Sequence, residues 1–189
     1  MKLKIFFTTL LIILFSGNFY MKAQSSSKKE TKILVVYYSR SSNTKEMAQQ
    51  IKEETGADIF EIVPEKPYPS DYNECVEQAK KEIESNYKPA LKAKLDNLDS
   101  YDVIFVGSPN WWSTIAPPVA SFLSSYDFSG KTIIPFITHE GSRMGRSVSD
   151  IKKLCPQATL LDGLPVRGSA VKKSNDEILK WLQEIGIKK

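Results

Sequence analysis

Histidine is nearly missing from this chain, and cysteine is scarce. The only histidine is His139, and the two cysteines, Cys75 and Cys155, lie in separate segments with no CxxC pair. No metal site is predicted from so few scattered ligands. In a chain of 189 residues, two well-separated cysteines are expected as buried thiols rather than as a disulfide framework. Two nucleotide signatures are also missing. No Gly-Lys-Ser/Thr ending marks a Walker loop, and no GxGxxG turn marks a dinucleotide site. Internal repeats and low-complexity segments are absent as well.

A long apolar run is another absence. Residues 5–15 are apolar apart from two threonines, but spanning a bilayer takes about 20 residues. Met1-Lys2-Leu3-Lys4 is a short basic head before that run, and residues 16–24 are mostly small or polar. The pattern predicts a secretory signal peptide over 1–24 and a polar linker over 25–31. It places the protein in the periplasm or outside the cell, with no stable membrane span after cleavage; an uncleaved anchor is the lesser alternative. No cysteine near the cleavage region suggests a lipoprotein, and no Arg-Arg pair suggests twin-arginine export. Strong charge is missing too. The formal +4 comes from 26 basic and 22 acidic residues, but three of the lysines lie in the leader, which holds no acid. What remains is close to neutral, so charge gives no reason to expect nucleic acid.

What is present is organised around residues 32–56. Residues 33–38 form an unbroken apolar and aromatic run rich in β-branched side chains, as expected of a strand buried on both faces. Ser39, Arg40, Ser41, Ser42, Asn43 and Thr44 follow, with four hydroxyls and one amide in six positions. Met47, Ala48 and Ile51 then share a helical face, and Gly56 supplies the stop. A helix N-terminus offers free N–H groups and positive potential, and neutral hydroxyls can wrap a phosphate without a lysine. The same residues also make an ordinary capped turn.

Further strands are expected over 58–63, 102–107, 131–138 and 158–161. Helices are expected from Ser70 or Asp71 to before Pro89, after Pro117-Pro118, around Met144 to Cys155, and over 174–186. Asp71 with Glu74, and Ser174 with Glu177, have capping-box spacing. Strands alternating with helices on this scale imply a five-stranded parallel sheet, order 2-1-3-4-5, with helices on both faces. In that order, the loops after strands one, three and four converge beyond the carboxyl ends, where such sheets bind ligands.

The second of these loops holds Pro109, Asn110, Trp111, Trp112 and Ser113. One tryptophan suits a core anchor and the other suits stacking on a flat heterocycle. Pro109-Asn110 suits a type II turn. The third loop holds Thr138, His139, Glu140, Gly141 and Ser142, then Gly145; its glycines allow close backbone approach. A phosphate plus a planar ring, with no second domain, points to a mononucleotide.

Through these three loops, over about residues 32–185, the chain resembles the flavodoxin family, and most nearly its short members with a Trp-Trp pair in the second loop. The resemblance implies a flavodoxin-like fold over 32–189 with bound FMN. It implies that Ser39, Ser41, Ser42, Asn43 and Thr44, with Arg40 among them, hold the phosphate. It implies that residues 109–113 line the flavin ring and residues 138–142 flank its other side. Ser42 stands where the family commonly has Gly. The implied activity is electron transfer through flavin to a small-molecule acceptor such as a quinone, with His139 the candidate proton donor. The alternatives are a carrier serving a redox partner protein, or a flavin-free binding protein. Near-neutral charge argues against a strongly acidic carrier.

Overall fold

Residues 33–37 have no polar face to show water, and the chain answers by burying them on both sides. In the computed structural model, which describes residues 30–188, Leu34 and Val36 point into one apolar cluster and Val35 and Tyr37 into another. The proposed signal peptide and all but the last two residues of the proposed linker lie outside the described residues. Thr31–Lys189 forms one compact unit.

The strands are β1 (Ile33–Tyr37), β2 (Asp58–Glu61), β3 (Val103–Trp111), β4 (Thr114–Ile115), β5 (Thr132–His139), β6 (Thr159–Leu160) and β7 (Leu164–Arg167). The α-helices are α1 (Asn43–Thr55), α2 (Tyr72–Glu84), α3 (Pro117–Ser124), α4 (Ser147–Leu154) and α5 (Asn175–Glu184). The sheet order is β2-β1-β3-β5-β6, with β7 continuing beside β5 and β4 folded back on β3. All the pairings are parallel except β3 with β4. One face is covered by Met47, Ala48 and Ile51 of α1 with Ile178, Trp181 and Leu182 of α5. The other is covered by Val119, Phe122 and Leu123 of α3 with Ile151 of α4.

The architecture is the expected α/β one, but the sheet has seven strands, not five, and each extra strand has a cause. The expected fifth strand, 158–161, is present as β6, and β7 is a further edge strand in a segment where none was expected. The carbonyls of Lys131 and Ile133 accept from Thr159 and Leu161, so this side of β5 faces the edge strand at every second residue. Pro135 is next on that side and has no N–H to give, which interrupts the ladder. Pairing resumes at Phe136 with Leu164. The other extra strand, β4, exists because β3 runs on through Pro109 and Asn110 instead of turning there. The turn falls at Trp112 and Ser113, with φ of 50° and 66°. Two consecutive left-handed residues make the tight hairpin that returns Thr114 against Trp111. The expected type II turn at Pro109-Asn110 is therefore absent.

Helix ends follow local chemistry in most places. Asp71 Oδ1 accepts from the Glu74 backbone N–H at 2.9 Å. Pro117 and Pro118 open α3, where their missing N–H groups cost little. At α5 the expected capping box does not form. The Ser174 hydroxyl lies on the Val171 carbonyl at 2.8 Å and near Gln50 Oε1, so it serves the packing of the preceding 3₁₀ turn on α1. Both cysteines are free and buried, and burial pushes the Cys155 thiol up to about 11.

Candidate functional site

The carboxyl ends of β1, β3 and β5 lie side by side, and their loops meet around one cavity of about 760 Å³. Its wall includes Arg40, Ser41 and Asn43 from the first loop. Pro109, Asn110, Trp111, Trp112 and Ser113 come from the second, and Thr138, His139, Glu140, Gly141 and Ser142 from the third. Three expected residues, Ser39, Ser42 and Thr44, are not part of this lining.

Thr44 works behind the wall. Its buried hydroxyl shares a hydrogen bond of 2.8 Å with the Thr138 hydroxyl, pinning the start of α1 to the end of β5. Ser42 is the N-cap residue of α1, with φ 68° and no side-chain cap bond. The first turn of α1 is thus left without a side-chain cap, as an anion site requires. A left-handed serine costs about 1–2 kcal/mol. Replacing it by glycine relieves that strain but adds disorder to the unfolded chain. Ser42→Gly is therefore expected to raise stability by about 0.5–1 kcal/mol, read as a higher denaturant midpoint at unchanged slope. A lower midpoint would mean that the hydroxyl makes a contact worth more than the strain.

Arg40 lines the cavity, but its guanidinium is already engaged. Its Nη2 donates to the carbonyls of Ser70 at 2.9 Å and Pro69 at 3.2 Å, tying the first loop to the chain that leads into α2. The second loop is tied to the third. Asn110 Nδ2 donates to the Arg143 carbonyl at 2.8 Å, and the Arg146 N–H donates to the Ser113 carbonyl at 2.7 Å. Ser108, fully buried, accepts from the Ala116 N–H at 2.8 Å and fixes the base of the hairpin.

The tryptophans divide their work. Trp111 is half-buried and meets Tyr38 and Tyr68 edge-on, at centroid distances of 5.5 and 4.9 Å. Trp112 is 45% exposed, donates from Nε1 to the Val76 carbonyl at 3.1 Å, and carries Lys80 Nζ over its ring at 5.1 Å. The α2 side of the cavity is formed by Tyr72, Cys75, Val76 and Ala79, none of them expected from the sequence. Their helical spacing was visible, but amphipathic spacing does not say whether a face meets core or ligand.

His139 has a buried Nδ1 with no hydrogen-bond partner among the described residues, and the same is true of Ser39 Oγ. Burial, followed by the Arg143 guanidinium, holds the imidazole below its ordinary value of 6.5; Glu140 pulls the other way and loses. Glu140 does act to raise it, but burial and the arginines outweigh that effect. Glu140 also stands 3.8 Å from Arg167, a solvated pair worth little.

A cavity over the carboxyl ends of a parallel sheet, walled by an uncapped helix start and by tryptophan, defines a doubly wound α/β ligand-binding protein. The chain belongs to the flavodoxin family: the family model described as Flavodoxin matches residues 32–185. A candidate flavoprotein from Bacteroides eggerthii is 31% identical, covering 84% of this chain and 100% of its own, with a TM-score of 0.71. Another from Bacteroides uniformis is 30% identical, covering 82% and 99%, with a TM-score of 0.73. A Lactobacillus acidophilus flavoprotein, solved in complex with FMN, is 26% identical, covering 76% and 98%, with a TM-score of 0.64. No curated protein matches the chain. Among the described residues, no helix is long and apolar enough to cross a membrane.

Proposed function

We propose that this protein binds FMN in the cavity and passes electrons through it to a small acceptor of the quinone type. The observation that carries this reading is one cavity bounded by the uncapped start of α1, the Trp111-Trp112 hairpin and His139, whose buried Nδ1 has no partner among the described residues. The residues fit the group: the helix start suits a phosphate, the indoles suit a flat ring, and the imidazole has an unused polar atom. The FMN complex of the Lactobacillus acidophilus relative supports the same choice. Within the family we place the chain with the short members that carry a Trp-Trp second loop.

Bound FMN supplies one- and two-electron redox chemistry. The protein's residues supply the rest. Ser41 and Asn43, with the first N–H groups of α1, hold the phosphate. Trp111 and Trp112 orient the ring, and Tyr72, Val76 and Ala79 keep water from that side of the cavity. His139 holds or passes a proton at Nδ1, and at neutral pH it does so as the uncharged imidazole.

The full chain as purified, before and after adding FMN and dialysing, is expected to retain a flavin absorption band with quenched fluorescence. No retained band at micromolar FMN would sink the reading and leave a binding protein on this fold. Turnover with nicotinamide donors and quinones separates an enzyme from a carrier, which is reduced only through a partner protein.

His139→Ala is expected to keep the flavin and slow acceptor reduction by up to about 100-fold. Because the pKa is lowered, the cationic imidazole is populated only as pH falls below 6.5, so any His139-linked change in rate belongs on the acid side. For the same reason, the contribution of His139 to stability is present above that value and is lost as pH falls through its lowered pKa. Equal turnover and equal pH profile in the variant would remove His139 from the chemistry.

We further propose that residues 1–24 direct export, so that FMN is acquired outside the cytoplasm. The mass of the cell-associated and exported forms tests this, with loss of the leader as the expected result.

A further inference from the structure

Trp111 does not stand alone behind the cavity wall. Its ring meets Tyr68 at 4.9 Å between centroids, with planes 80° apart. The Tyr68 hydroxyl in turn donates a hydrogen bond to Glu82 Oε2. The other carboxylate oxygen, Oε1, accepts from Gln78 Nε2 at 2.8 Å, which fixes the acceptor in place. Glu82 also borders a second cleft, of about 350 Å³, between α2, β4, α3 and α4. An unbroken series thus runs from the wall of the first cavity to the wall of the second: indole, phenol, carboxylate.

We propose that Trp111, Tyr68 and Glu82 form a proton-coupled electron relay, with Tyr68 as the final one-electron donor to an oxygen-centred radical or a high-potential trivalent metal complex acting at the cavity, an oxidant strong enough to take an electron from an indole. The balance is simple. The oxidant takes one electron from the Trp111 indole. Tyr68 returns one electron to Trp111, and its phenolic proton crosses the existing hydrogen bond to the Glu82 carboxylate. The products are a neutral Trp111, a neutral Tyr68 radical, a protonated Glu82 and an oxidant reduced by one electron.

The hydrogen-bonded base is what makes Tyr68 the end point. Losing an electron turns a phenol into a strong acid, and a carboxylate already in contact receives the proton without rearrangement. Burial and Glu82 hold the Tyr68 hydroxyl far above its ordinary pKa, so in the resting state the proton stays on the phenol. Tyr38 also packs edge-on against Trp111, at 5.5 Å, and serves as the internal control. The relay does not depend on the flavin reading, since it is engaged by a radical or trivalent metal oxidant stronger than the indole couple, and not by ground-state flavin or a quinone.

The test uses the full chain and a flash-generated ruthenium(III) polypyridyl complex, which accepts one electron. The exposed Tyr72 and Tyr87 are first replaced by phenylalanine to silence surface reactions. Transient absorption and electron paramagnetic resonance then identify the oxidised side chain. The expected result is a tryptophan signal that gives way to a tyrosyl radical. Tyr68→Phe should cut the tyrosyl yield by about tenfold and leave the hole on tryptophan, whereas Tyr38→Phe should change little. Glu82→Gln keeps the ring but removes the base, so the tyrosyl radical should form more slowly and with an altered solvent deuterium effect. A tyrosyl yield unchanged in Tyr68→Phe would overturn the proposal, as would an unchanged rate and isotope effect in Glu82→Gln. Circular dichroism on each variant separates these results from misfolding. Because no flavin enters the readout, a failure here and a failure to bind FMN are distinct outcomes.

Discussion

Replacing Phe122 with alanine is expected to cost about 3–5 kcal/mol of folding stability. The ring is 1% exposed and sits among Phe60, Tyr126 and Phe128, at centroid distances of 5.9, 4.8 and 6.2 Å. Removing it takes away apolar burial and leaves a hole that rigid aromatic neighbours fill poorly. The loss spreads because α3 is only eight residues long and has little helical stability of its own. Val119, Phe122 and Leu123 are what hold α3 to the sheet. The same ring packs on Tyr126, whose hydroxyl accepts from the Leu95 N–H at 2.7 Å and so anchors the connector before β3. A domain with about 5–15 kcal/mol in hand loses much of it. Denaturant titration measures the effect, and Phe122→Leu should recover most of it by refilling the volume. A cost below about 1.5 kcal/mol in the alanine variant would show a core able to collapse around the gap.

The parts of the fold legible in the sequence were those with one strong physical cause. Continuous apolar runs rich in β-branched residues at 33–37, 103–106 and 133–137 have no stable place except inside a two-sided sheet, and that is where they lie. Gly56, with φ 69° and its N–H on the Lys52 carbonyl, ends α1 as its position suggested. The illegible parts depended on competition between causes. Pro135 was visible inside the fourth expected strand, but its effect falls on a neighbour that local pattern does not identify. Trp112 and Ser113 carry no propensity for positive φ, so the turn looked better placed at Pro109-Asn110. There, long-range pairing of Pro109 with Thr138 overrides the local turn preference.

The candidate site divides in the same way. Loop composition pointed to the residues around the cavity but not to the direction of each side chain. Arg40 reads as a phosphate ligand by charge, yet its guanidinium is occupied by the carbonyls of Ser70 and Pro69. Thr44 reads as a direct contact, yet its hydroxyl is committed to Thr138. Val76 and Ala79, at helical spacing with Ile83, read as the inner face of α2, and they line the cavity, with Cys75 beside them.

Gly145→Ala should be the most damaging small change near the site, lowering stability by about 2–5 kcal/mol and weakening flavin retention with it. Gly145 has φ 51°, where an L side chain is strained by about 1–2 kcal/mol. A Cβ there would also stand 2.4 Å from the Ser113 carbonyl oxygen and 2.9 Å from its carbon. The obstacle is backbone, and it has little freedom to retreat. The Ser113 carbonyl accepts the Arg146 N–H at 2.7 Å, and Ser113 itself is held at φ 66° in the two-residue hairpin. Overpacking of this kind adds about 1–3 kcal/mol. The displacement must pass into Trp112 and then Trp111, because both stand on that hairpin. A change behind the second loop therefore reaches the cavity wall without touching a ligand. Gly141→Ala is the control: nothing lies within 4 Å of its added methyl group, so its stability should stay within about 0.5 kcal/mol of the parent. Unfolding midpoints of both variants without FMN, then flavin retention after dialysis, separate strain at the seam from loss of a direct contact. If Gly145→Ala kept the parent midpoint and the parent flavin retention, the junction between the second and third loops would not be what holds the tryptophan hairpin in place.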